Sequence, residues 1–180
     1  MRVLPLAKLL LILCAALLSA CGVSVERAAG PAIAIPADIA GAWQVRIKDS
    51  IDKKLLVGAD GDRLTLQWMG AGKEDLPAQA QLHQFQGREY LAVKNPEKDG
   101  SALVMLVSAR DGADIALRPL DPRRVAAALK KLRRPVERRN LWMRKEIYLD
   151  AATFEKLLGL HGAGLFDEKQ TVQLHKVPAD

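Results

Sequence analysis

In Gly41-Ala42-Trp43-Gln44-Val45-Arg46-Ile47-Lys48, the apolar Trp43, Val45 and Ile47 alternate with the polar Gln44, Arg46 and Lys48. Successive side chains of a strand point to opposite faces, so this stretch reads as a strand with one face buried and one wet. Downstream the same grammar repeats. Lys54 to Gly58 and Leu64 to Trp68 follow, with Asp60-Gly61 between them. That dipeptide suits a tight hairpin because glycine accepts positive φ at little steric cost. Ala78 to Phe85 and Glu89 to Lys94 flank a second turn at Gln86-Gly87. After Asn95-Pro96 and Asp99-Gly100, Ala102 to Ala109 forms an unbroken apolar strand, and Ile115 to Arg118 returns beyond Asp111-Gly112.

The period changes at Asp121-Pro122, an N-cap residue followed by proline at the first helical position. Val125, Ala128, Leu129 and Leu132 then recur at helical spacing, predicting a short amphipathic helix over 122–133 that Pro135 stops. Leu141 to Leu149 reads as one strand. Asp150 caps a second helix, with Phe154, Leu157 and Leu158 inward and Gly159, Gly162 and Gly164 at its end. Gln170 to Val177 is a final strand. The sum is a mainly β chain, an antiparallel meander of about seven strands with two short helices near the C-terminus. Closing such a meander into a barrel removes its exposed edges. Trp43, Leu66, Trp68, Val93, Met105 and Val107 are the expected inward positions.

Gly41-Ala42-Trp43 at the head of the first strand resembles the Gly-x-Trp of lipocalins and related calycins. The mature chain as a whole resembles small proteobacterial lipoproteins with a lipocalin-like barrel. The matching stretches are Ala102 to Val107, Leu120-Asp121-Pro122 and Ala151 to Gly162, whose His161-Gly162 turn precedes the last strand. The resemblance implies a lipocalin-like barrel that buries Trp43 at its closed end. The Thr-Asp-Tyr signature of lipocalins is absent. The interior is therefore expected either to be filled by side chains or to leave room for a small hydrophobic ligand.

Upstream of the barrel, Arg2 and Lys8 accompany an apolar run from Leu9 to Leu18, and small residues follow. This is the layout of an export signal that is removed. The run is too short to cross a hydrocarbon core of roughly 30 Å, which needs about 20 apolar residues. Leu18-Ser19-Ala20-Cys21 resembles the lipobox of bacterial lipoproteins. That resemblance implies a diacylglyceryl group on the Cys21 thiol, cleavage before it and acylation of the new amine. One acyl chain anchors only reversibly, whereas several hold firmly. Gly22 stands where many enteric lipoproteins carry an inner-membrane retention Asp, which implies the outer membrane, facing the periplasm. Without the resemblance, the stretch is an ordinary secretory signal. Residues 22–38, with Pro31 and Pro36 and no sustained period, read as a flexible tether following Cys21, the alternative being an unpaired edge strand. The expected organisation is a signal over 1–20, a lipidated cysteine and tether over 21–38 and a single domain over 39–180.

Cleavage leaves 160 of the 180 residues, enough for one domain with a sizeable core. The signal takes Arg2 and Lys8 with it, so 25 basic residues face 21 acidic ones, a mild net +4 that is no nucleic-acid signature. The eight aromatic residues are too few for stacking platforms. The two cysteines are Cys14, lost with the signal, and Cys21, so no disulfide, thiolate zinc site or cysteine nucleophile is expected in the domain. His83, His161 and His175 match no metal-ligand spacing. Ser24, Ser50, Ser101 and Ser108 sit in no Gly-x-Ser-x-Gly elbow. Glu74-Asp75 and Asp167-Glu168 read as solvated turn residues. No catalytic residue, cofactor or metal is expected.

One charge feature is uneven. From Arg123 to Lys145 stand ten basic residues and one acid, Glu137. Arg133, Arg134, Arg138 and Arg139 are its candidates for contact with an anionic surface, against the alternative of a solvated helix face with cations at its C-terminus. The expected function is a monomeric, non-catalytic, lipid-anchored binding module for a small amphiphile or envelope component. The alternative is an inhibitor or immunity-type lipoprotein that engages a protein through loops such as Met69 to Leu76 or Asn95 to Gly100.

Overall fold

The computed structural model describes residues 22–47, 50–69, 77–94, 101–141 and 144–178. Its strands are β1 (Val23–Val25), β2 (Gly41–Ile47), β3 (Ser50–Asp60), β4 (Arg63–Trp68), β5 (Ala78–Phe85), β6 (Arg88–Lys94), β7 (Ala102–Asp111), β8 (Asp114–Pro119), β9 (Arg138–Leu141), β10 (Arg144–Leu149) and β11 (Val172–Lys176). Its helices are α1 (Pro122–Lys131) and α2 (Ala151–His161).

Eight of these strands close an antiparallel barrel. β2 to β8 run up and down as a meander, and β11 returns to lie between β8 and β2, while β6 pairs with β7 to complete the ring. The tight turns sit where glycine permits them, including Gln86-Gly87 with φ of 49° and 72°. Trp43 is buried in the barrel cluster, and its indole N–H donates to the Ile39 carbonyl at 2.8 Å. Ile39 belongs to a 3-10 turn at Ala37–Ile39, and Ile33 and Ile35 pack against the same cluster.

Both helices begin as the sequence predicts. Asp121 accepts hydrogen bonds from the amides of Arg123 and Arg124, with Pro122 in the first position. Asp150 accepts from the Thr153 amide at 2.8 Å and from its hydroxyl at 2.7 Å. Those two bonds hold the Asp150 carboxyl below its usual range.

Two expectations are corrected. Residues 22–38 are not a tether. Val23 and Val25 are completely buried, β1 pairs in parallel with β10, and Ala28 and Ala29 are buried beyond it. The chain then bonds to the end of β5 through Gln84 N–H to Pro31 O and Ile33 N–H to Leu82 O. Gly30 makes this approach possible: its φ is 74°, and a Cβ there would lie 2.1 Å from the Gln84 carbonyl oxygen. No sequence period marks the segment because each stretch packs on a different element. Second, Leu141 to Leu149 is not one strand. Arg138–Leu141 and Arg144–Leu149 pair antiparallel as two strands.

A second apolar core lies outside the barrel. The outer face of β6 and β7 contributes Tyr90, Ala92, Ala102, Val104 and Leu106, covered by β1, β10, α1, α2 and the turn at Gly162–Leu165. The unbroken apolar run of β7 follows from this, since both its faces meet apolar neighbours. Tyr90 stacks near Phe166 at 5.7 Å between ring centroids, and burial pushes its phenol above the usual tyrosine range.

Candidate functional site

Strand register fixes which side chains face the barrel interior. Trp43 pairs with Leu55, and Leu55 with Trp68. Val57 pairs with Leu66, Leu82 with Leu91, Leu91 with Met105, and Val107 with Leu117. Paired residues share a face, so all of these line the inside, together with Val93, Ile115, Val45 and Leu174. Trp43, Leu66, Trp68, Val93, Met105 and Val107 thus fall where the sequence places them.

The inner surface is not uniformly sealed. Trp43, Val45, Leu55, Leu64, Ala80 and Leu82 are buried. Leu66, Trp68, Leu91, Val93, Met105 and Val107 pack against them yet remain half-buried, in contact with solvent. Such an apolar wall, reachable by water, can take up the hydrocarbon part of a ligand.

A charged pair sits on the same inner face. A β-bulge between Val107 and Ala109 shifts the register, so that Arg110 pairs with Ile115 and turns inward. Its guanidinium donates to Glu89 Oε1 at 3.3 Å, with both side chains about three-tenths exposed. Sequence reading misses this pair, because the bulge inverts the alternation after Ser108. The signal was the Ser108 interruption: its hydroxyl donates to the Ala116 carbonyl at 3.0 Å.

The basic candidates and their neighbour Arg124 each have different partners. Arg124 is structural, bonding the Gly164 and Phe166 carbonyls and pairing with Asp121 and Glu168. Arg139 lies over the Tyr148 ring at 3.2 Å and pairs with Glu137 at 3.0 Å. Arg133 has φ 52° and ends α1, with its amide on Lys130 O and the Arg134 amide on Leu129 O. Arg138 stands exposed on the edge strand β9.

The three histidines stand apart. His83 Nδ1 contacts the Gly30 carbonyl at 3.1 Å, His175 Nδ1 contacts Asp114 Oδ1 at 2.8 Å, and His161 ends α2. Among the described residues, no group of three His, Cys, Asp or Glu could hold a metal ion. Residues 1–20, Cys21, residues 70–76 and the whole Asn95 to Gly100 loop lie outside the described residues, while Met69 is exposed. No family model, curated protein or solved structure matches the chain.

Proposed function

We propose that this is a non-catalytic envelope lipoprotein, anchored through acylated Cys21 and facing the periplasm from the outer membrane, whose barrel holds a small amphiphile. One observation carries the ligand reading. The inner apolar residues Leu66, Trp68, Leu91, Val93, Met105 and Val107 are only half-buried, whereas the largest side chains of the other core, Tyr90, Phe154 and Phe166, are no more than 2% exposed. Leaving apolar surface wet costs about 25 cal/mol per Å². A bound hydrocarbon chain recovers that cost, while the partly exposed Arg110–Glu89 pair offers polar contacts to a head group. The anchor reading is supported by Leu18-Ser19-Ala20-Cys21 at the end of the apolar run.

Trp68 provides the test, because it lines the same surface. Titration with a dansylated fatty acid should give saturable energy transfer from tryptophan at one site per chain. Met105→Trp, which fills the interior, should weaken that binding at least tenfold while the protein still melts cooperatively. An absence of saturation, or equal binding by a folded Met105→Trp protein, would overturn the ligand reading.

A further inference from the structure

The position of β1 has a consequence for how the domain meets a membrane. Gly22 is fixed to the fold: its carbonyl accepts from the Ile147 amide at 2.9 Å, and a Cβ on it would come 3.0 Å from Pro122 Cγ. Val23 and Val25 follow, both fully buried, and the Glu26 amide bonds Leu149 O at 2.8 Å. Consecutive Cα atoms are about 3.8 Å apart, so the backbone of Cys21 lies one peptide from this pinned residue. There is no stalk between them.

We propose that the domain lies directly on an anionic bilayer, with the start of β1 and the β9–β10 hairpin facing the lipid head groups. The inference rests on the reading of Cys21 as acylated. The parallel register Val23↔Ile147 sets the orientation. β10 begins at Arg144, upstream of the residue paired with Val23, so the hairpin extends past the start of β1 toward the side from which Cys21 arrives. That hairpin carries Arg138, Arg139, Arg144 and Lys145. Arg138 and Arg123, the latter next to the Pro122 that touches Gly22, are exposed and make no ion pair among the described residues. Cations held within a Debye length of an anionic leaflet are attracted to it. Arg133 and Arg134 follow the other end of α1, roughly 15 Å along the helix from Arg123.

Site-directed labelling tests the geometry in the full chain made in a bacterial host. An environment-sensitive fluorophore is placed on Arg138→Cys, a change that removes one cation and works against the proposal. The control is Leu56→Cys, exposed on β3, four places from β7 around the eight-strand ring in either direction. The proteins are reconstituted in phosphatidylethanolamine/phosphatidylglycerol vesicles containing head-group spin-labelled lipid. Quenching at position 138 should exceed that at position 56 at least fivefold. Intact mass is measured on the same samples. An acylated protein quenched equally at both positions, or more at 56, overturns the orientation and leaves the anchor standing. A chain without acyl mass overturns the anchor and the orientation together.

Discussion

The molecule builds its two apolar cores to different standards. The core outside the barrel contains Tyr90, Phe154, Phe166, Leu129, Leu157 and Leu158, each no more than 2% exposed. Among the described residues of the barrel interior, Trp43 is the largest side chain sealed to that degree, and it has half-buried apolar neighbours. The difference lies in what covers each surface. Helices lay flexible side chains across the outer face of β6 and β7 and fill its gaps, as close packing requires. Inside the barrel, only facing strands are available, and an eight-stranded ring is wide enough to leave room. The outer core is therefore expected to carry more of the stability than the inner wall.

Truncation should separate the two most sharply. Phe154→Ala in the sealed core should cost about 3–5 kcal/mol, whereas Met105→Ala on the half-wet inner wall should cost on the order of 1 kcal/mol. Urea midpoints would show this, and equal losses would erase the distinction. Enlargement reverses the probe. Ala92→Leu overpacks the outer core and should cost about 1–3 kcal/mol. Val107→Phe, at a half-buried position of the inner wall, should change stability by no more than about 0.5 kcal/mol. Asp150→Ala attacks the outer core through the cap of α2 and should cost about 1 kcal/mol at neutral pH. Because the Asp150 carboxyl is held below its usual 3.8, that stabilisation is complete above this value and is lost as pH falls beneath it. The gap between wild type and variant should therefore close in acid melts. The smallest effect should be a gain: Arg133→Gly relieves a positive φ at the end of α1 and should add about 0.5–1 kcal/mol, seen as a higher melting temperature.

The barrel was readable because its strands obey local rules. Trp43, Val45 and Ile47 alternate, Asp60-Gly61 and Gln86-Gly87 turn the chain, and Asp121-Pro122 and Asp150 start helices with their own side chains. What escaped notice depends on distant partners. Val23 and Val25 are strand residues only because β10 and β7 lie beside them. The break between β9 and β10 leaves no glycine or proline signal in Leu141 to Leu149. The inward turn of Arg110 needs a bulge that a simple alternation cannot express. Nor does strand period say which inner residues stay wet, since that follows from the width of the closed ring.

Native mass spectrometry of the detergent-released protein from its own host addresses the inner surface directly. One small amphiphile per chain is expected on the wild type and none on a folded Met105→Trp variant. A wild-type protein with no ligand mass, its spectrum matching that of the variant apart from the substitution, would rule out a ligand in the barrel.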